Sequence, residues 1–487
     1  MFKLIKKYKS ESALIAGLLL CLACYFINPF SLSSKASLVL AVAVLMICWW
    51  VLDAMPMAAV ALVPVVLFPL LNIAPLKEVV KSYADTNIFL FMGGFFIALA
   101  IEKWNLHKRI ALGIIKITGT NGNRIILGFI ISTGFLSLWL SNTATTMMMF
   151  PIATSVIHVI SSHNKDGKGV QNFSLVLMLS LAYASNFAVG TIIGTPPNTV
   201  YVGYIHDKFN YTIGFTNWMI VYMPLTIVLL LMLYWVLVKW LYPNNIKHSI
   251  EGRSFINKEL KEMGKLSAPE TRVLVVFSLT VFLWICKDII NSFLPKELMD
   301  DTIIAMFGAL LLFIIPSGKK TEKEEERLLE WPDTNKMAWG ILLLFGGGLA
   351  LAKSLEDAKL MQQLGDYIAG FSTSNTFLMI LIITTISVFL SEVMSNVAQV
   401  IVMAPVVTAV ATSLHMDPLL LGIPMTLGAS CASMLPMGTP PNAIVFASGH
   451  IKLRDMVKTG FILNIICIIF ITLFCWLLQP LLMKIVM

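Results

Sequence analysis

The sequence predicts an all-α polytopic membrane protein made of two inverted repeats, each with a re-entrant hairpin and a broken helix. The prediction rests on composition, on a motif set that occurs twice in the same order, and on polar or proline-rich interruptions inside apolar runs. Of 487 residues, 57% are hydrophobic and only 13% are charged, and mean hydropathy is +0.83. Soluble chains carry about 25% charged residues. Apolar runs at 12–30, 36–52, 218–241, 273–286 and 459–478 match a spanning helix of ~20 residues. The run 12–30 exceeds the ~7–15 residues of a signal-peptide core and has no small-residue cleavage site after it, so it reads as a span.

The formal charge of +8 does not indicate nucleic acid as a partner. Lys3, Lys6, Lys7 and Lys9 precede the first span, and Lys247, Arg253, Lys258, Lys261 and Lys265 share one inter-span segment. Basic segments beside spans stay cytoplasmic. The N-terminus and the 243–271 segment are therefore expected in the cytoplasm, and the chain in the plasma (cytoplasmic) membrane. Cys21, Cys24, Cys48, Cys286, Cys431, Cys467 and Cys475 all lie in or beside apolar segments, without zinc or redox spacing.

The repeat is visible in three motif pairs. Phe91-Met92-Gly93-Gly94 and Phe345-Gly346-Gly347-Gly348 lie 254 residues apart, as do Ser141-Asn142-Thr143 and Ser395-Asn396-Val397, and Ser137 and Ser391. Gly194-Thr195-Pro196-Pro197-Asn198 and Gly438-Thr439-Pro440-Pro441-Asn442 are offset by 244. A polar loop at 161–172, with no equally long counterpart, is expected to account for most of the difference. The glycine pairs read as close helix contacts, because no Walker lysine accompanies them. The 243–271 segment reads as a linker helix, and 318–336, with Glu322, Glu324, Glu325 and Glu326, as a solvated surface.

Ser-Asn clusters interrupt the apolar stretches 125–160 and 382–410, and each Thr-Pro-Pro-Asn ends a preceding helix, because proline lacks a donor and the residue before it avoids the α region. Irregular backbone at membrane depth survives only when buried in protein or lining a wet cavity. Breaks at matching positions of two halves therefore point to a transport site. Free helix N-termini favour anions, and hydroxyl, carboxamide and carbonyl oxygens can hold a hard cation. A single polar residue of this kind often only joins helices, at ~0.6 kcal/mol. The paired clusters read as a site: Ser141, Asn142, Thr143, Thr195 and Pro196 in one half, with Ser395, Asn396, Val397, Thr439 and Pro440 in the other.

At these residues the chain resembles the divalent anion:sodium symporter (dicarboxylate transporter) family of the ion-transporter superfamily. The paired hairpin tips, the paired Thr-Pro-Pro-Asn segments and the stretch Met434 to Ala443 carry the likeness. The resemblance implies a homodimer whose protomers each hold a scaffold and an elevator-type transport domain. The expected division is 1–80 as largely scaffold spans, 81–242 as the first repeat, 243–271 as linker, 272–336 as scaffold spans with a charged loop, and 337–487 as the second repeat. It implies succinate, malate, 2-oxoglutarate or citrate as substrate. It also implies Na⁺ at Ser137, Ser141, Asn142 and the Gly194 carbonyl, and at Ser391, Ser395, Asn396 and the Gly438 carbonyl. Two departures turn the expectation toward dicarboxylate exchange rather than Na⁺ symport. Val397 replaces the family's threonine, and Asn186-Phe187-Ala188 stands where a small Gly-Gly pair is common.

Other classes fit less well. The sequence has no His-Glu-x-x-His and no phosphate loop, and Gly428-Ala429-Ser430-Cys431 lacks the closing glycine of a nucleophile elbow. No enzyme activity and no organic cofactor are expected. A channel fits poorly with duplicated Pro-Pro breaks. Sulfate is the alternative anion, since helix ends and hydroxyls serve either.

Overall fold

The structure is a computed structural model and describes residues 2–28, 32–52, 54–119, 121–163, 167–244, 246, 250–296, 298–320, 325–360 and 375–486. Lys247, Glu322, Glu324, the end of the 12–30 run and part of the 161–172 segment lie outside the described residues. Among those described, 8 helices are long and apolar enough to cross a membrane. The only strands described, Pro316–Lys320 and Glu325–Arg327, form one antiparallel pair.

The predicted interruptions are where the helices stop. Gly122–Ser137 and Asn142–His163 flank a first tip at 138–141, and Thr376–Leu390 and Asn396–Ser413 flank a second at 391–395. Gly167–Asn186 ends at a first break, 187–195, and Pro196–Phe209 resumes beyond it. Pro418–Ala429 ends at a second break, 430–439, before Pro440–Phe446. Both resuming helices start on proline, whose fixed φ suits a first helical turn and whose missing N–H costs nothing there.

The repeats interlock. Each hairpin lies along the long half-helix of its own repeat, 167–186 or 418–429. Beyond the break the chain crosses over: Pro196–Phe209 packs on Asn396–Ser413 and Pro418–Ala429, while Pro440–Phe446 packs on Asn142–His163 and Gly167–Asn186. Each resumed helix is thus seated on the opposite repeat.

The described residues of the expected polar loop at 161–172 are helical. Residues 161–163 finish one helix and 167–172 begin the next, and the exposed hydroxyls of Ser161 and Ser162 donate to carbonyls of their own helix at 3.0 Å. The ten-residue deficit of the second half comes instead from shorter helices, 18 against 22 residues after the tip and 12 against 20 before the break.

Around these elements stands a frame of uninterrupted helices. Thr86–Lys103 runs against Asp301–Ile314, where a Cβ on Gly93 would come within 2.7 Å of the Ala305 backbone. On Trp339–Asp357, Gly346 meets the Tyr83 ring and Gly347 meets Ala61. The glycines are close-contact residues, as expected. Phe91 and Phe345, equivalent in the two repeats, stack on each other at 5.1 Å. A residue and its own repeat mate touch only near the axis relating them. Gly347→Ala would place a Cβ 2.2 Å from the Ala61 carbonyl oxygen, whereas a Cβ on Gly113 meets nothing within 4 Å. Gly347→Ala is expected to cost about 1–3 kcal/mol, seen as a lower Tm in detergent. Gly113→Ala should be neutral or gain up to ~1 kcal/mol, and equal Tm values for the two variants would refute the packing role.

The linker forms the expected helix, Ile250–Glu262, and docks on Leu106–Thr118 and Asn142–His163. Arg109 holds its end by bonding the carbonyls of Met263 and Gly264 and the carboxylate of Glu270. The charged 318–336 segment is less free than expected, since Lys103 pairs with Glu326 at 2.9 Å and Asp333 at 2.8 Å.

Candidate functional site at two hairpin tips and two helix breaks

Hydrogen bonds join the four interruptions into one junction. The first tip meets the first break where Thr191 Oγ1 donates to the Leu138 carbonyl at 2.6 Å. A Cβ on Gly194 would lie 3.3 Å from the Ser137 carbonyl oxygen. The second tip meets the second break where Ser391 Oγ donates to the Ala429 carbonyl at 2.5 Å. The breaks meet each other twice: Asn186 Nδ2 donates to Thr439 Oγ1 at 3.1 Å, and Ser430 Oγ to Thr195 Oγ1 at 3.2 Å. These two links are repeat mates, because 430 follows 186, and 439 follows 195, by the same 244 residues.

Within each break the motif asparagine is a staple. Asn198 Nδ2 donates to the carbonyls of Val189 and Thr191 at 3.1 and 3.0 Å. Asn442 Nδ2 does the same for Ala432 and Leu435 at 3.3 and 3.1 Å. A carboxamide with two donors closes an open loop and so satisfies carbonyls that no helix uses.

The predicted substrate residues are gathered here. Ser141, Asn142, Thr143, Ser395, Asn396 and Val397 are half-buried at the tips, Thr195 and Thr439 are buried, Pro196 is half-buried and Pro440 is exposed. Helices Asn142–His163, Pro196–Phe209 and Asn396–Ser413 all begin at the junction, so their positive ends favour an anion. The fourth, Pro440–Phe446, has seven residues and adds little dipole.

The two candidate cation sets differ despite matching sequence. In the first, Ser137 Oγ and Asn142 Oδ1 are buried without a hydrogen-bond partner among the described residues, while Ser141 Oγ accepts from the Ala144 amide at 3.2 Å. Buried polar atoms are rarely left so. Hydroxyl, carboxamide and carbonyl oxygens are hard neutral donors, and this set fits Na⁺. In the second set the single Ser391 hydroxyl proton is shared between the Ala429 carbonyl at 2.5 Å and Asn396 Oδ1 at 2.7 Å, a contact inside the set that the first set lacks. Ser395 makes no capping bond. Phe187 and Ala188, the bulk noted in the sequence, are wholly buried.

Three residues of the junction were missed. Asn186 and Ser430 could have been found by applying the 244-residue offset to the helix ends as well as to the motifs. Glu392 is buried, and its carboxylate accepts from the amides of Ser433, Met434 and Leu435 at 2.8, 2.9 and 3.0 Å and from Asn464 Nδ2 at 2.7 Å. Its signal was plain, since an ionisable residue inside an apolar run is a functional candidate by default. Its repeat mate is Leu138.

A cavity of about 510 Å³ lies elsewhere, where Asp207 and Lys208 face Lys353, Glu356 and Asp357, and its lining includes no tip or break residue. Lys208 and Glu356 form an ion pair there at 3.2 Å.

Known proteins place this architecture. The sodium-dependent dicarboxylate transporter SdcS of Staphylococcus saprophyticus is 38% identical over 474 residues, covering 96% of this chain and 91% of that protein. SdcS of Staphylococcus aureus strain USA300 is 38% identical over 496 residues, covering 99% and 95%. The solved structure of MtrF from Neisseria gonorrhoeae, described with a class of antimetabolite efflux pumps, shares the fold with a TM-score of 0.56 at 15% identity, over 82% of this chain and 83% of that one. The family described as the sodium:sulfate symporter transmembrane region matches residues 7–485, and this chain belongs to that family.

Proposed function

We propose that this chain carries C4 and C5 dicarboxylates such as succinate, malate and 2-oxoglutarate across the plasma membrane, driven by Na⁺. The observation that carries the reading is the pair of buried oxygens without a partner among the described residues, Ser137 Oγ and Asn142 Oδ1, set at the same junction as three helix N-termini. A cation fills the first, the helix ends take the carboxylates, and each offsets the other's charge during passage. The sodium-dependent dicarboxylate transporters among its relatives support both halves of the reading. The hairpins and broken helices form the moving body of an elevator, the glycine-packed helices form its frame, and two copies form the working dimer. The N-terminus and the linker helix face the cytoplasm. Dicarboxylate exchange is the second reading, favoured by the Ser391 hydroxyl standing 2.7 Å from Asn396 Oδ1 inside the second cation set and by the hydrocarbon at Val397.

Labelled succinate uptake into proteoliposomes tests both readings. Symport gives uptake into empty vesicles under a Na⁺ gradient. Exchange gives uptake only into vesicles preloaded with dicarboxylate. Unlabelled sulfate should compete weakly, and strong competition by it would overturn the choice of carboxylate.

Thr439→Val is expected to raise the KM for succinate at least about tenfold, the worth of one hydrogen bond to a charged group. Thr199→Val should change it little, because Thr199 Oγ1 already donates to the Pro196 carbonyl at 2.7 Å within its own helix. Equal shifts at the two positions would count against the site.

A further inference from the structure

The hydrogen bonds around Thr439 settle which way its hydroxyl faces. Thr439 Oγ1 accepts from Asn186 Nδ2 at 3.1 Å and from the Asn442 amide at 3.3 Å. A hydroxyl has two lone pairs and one proton, and both neighbours on this side are N–H groups that can only donate to it. The orientation of the Asn186 carboxamide is enforced as well. Its nitrogen also faces the Ala432 carbonyl at 3.2 Å and Asn442 Oδ1 at 3.3 Å. Neither of those can donate: one is a backbone carbonyl, and the other belongs to a carboxamide whose nitrogen is taken by Ala432 and Leu435. Asn186 therefore presents N–H, not C=O, to Thr439. The hydroxyl proton finds no acceptor on that side.

We propose that Asn186 is a positioning residue that commits the Thr439 hydroxyl to donating into the substrate site, so that it selects a fully ionised carboxylate over a group that must itself donate. The inference rests on the dicarboxylate reading and deepens it. The first repeat lacks this device. At the equivalent place Ser430 meets Thr195 hydroxyl to hydroxyl at 3.2 Å, and a hydroxyl can give or take. The two ends of the substrate thus meet unlike partners: Thr439 tolerates only an acceptor, while Thr195 accommodates a donor or an acceptor. A protonated carboxyl or a hydroxyl at one end of the substrate belongs on the Thr195 side.

The test is a double-mutant cycle on succinate transport in proteoliposomes. Asn186→Asp keeps the shape but offers Thr439 an acceptor, which turns its proton inward. KM should rise about tenfold, the value of one hydrogen bond to a charged group, while Vmax stays within about twofold. In the Thr439→Val background the same change should raise KM no more than about threefold, and that arm also measures the effect of the added charge itself. Asn186→Ser, which copies Ser430 and can give or take, should fall between the parent and Asn186→Asp. Equal effects of Asn186→Asp in both backgrounds, or a loss with Asn186→Ser as large as with Asn186→Asp, would overturn the positioning role. If Thr439→Val alone leaves KM unchanged, the substrate site itself is misplaced, which is a different failure.

Discussion

Asn142→Ala and Asn396→Ala are each expected to reduce uptake to background while the protein remains folded. On the proposed reading each carboxamide faces both cation and anion at its tip, so each change removes a contact to both. Two contacts to charged species at about 1.5–3 kcal/mol apiece amount to roughly a hundredfold loss or more. The two variants should differ in stability. Asn142 Oδ1 has no hydrogen-bond partner among the described residues, so its removal breaks no bond described in the fold, and Tm should hold or rise slightly. Asn396 Oδ1 shares the single Ser391 hydroxyl proton with the Ala429 carbonyl, which can take it whole once Asn396 is gone, so the loss should stay within about 1 kcal/mol. Uptake and thermal unfolding of the same purified samples separate the effects. Full uptake by either variant would remove the site.

Glu392→Ala should have the largest effect on stability. It strands three peptide N–H groups and the Asn464 carboxamide, all bonded to one carboxylate. An orphaned buried donor costs about 1–3 kcal/mol, and four such losses rival the ~5–15 kcal/mol that holds a domain together. The second break should lose its shape, with a Tm lowered by more than about 10 °C or no recoverable monodisperse protein. Glu392→Gln keeps one oxygen for Oε1's three donors but turns an N–H toward the Leu435 amide, and should fall between. A Glu392→Ala protein as stable as its parent would show that the carboxylate does not hold the break.

The sequence revealed the junction's outline because proline and duplication act locally. The double prolines after Thr195 and Thr439 disfavour helix continuation from sequence alone, and a constant offset marks two copies without any structure. Partnership was not legible. Asn186 reads as a departure from a small pair, and nothing nearby in the chain says that its partners are Ala432, Thr439 and Asn442. The unlike state of the two cation sets was hidden too, because Ser137 and Ser391 are the same residue at equivalent places and differ only in what their oxygens touch. Glu392 was legible and was passed over for the Ser-Asn pattern around it. The linker read correctly as a helix, but its seat on Leu106–Thr118 and Asn142–His163 depends on surfaces that the segment itself does not specify.

The crossed links between the breaks have a consequence for biosynthesis. Asn186 and Thr195 enter the membrane early, while Thr439 and Ser430, which complete them, leave the ribosome only near the end of translation. In the interval the first break holds polar groups at membrane depth, where each unpaired group costs several kcal/mol. The insertion machinery, or water retained around the nascent helices, has to shelter them until the last helices arrive. A chain terminated before residue 430 is therefore not half a carrier but a polar wound in the bilayer, of the kind that membrane proteases clear.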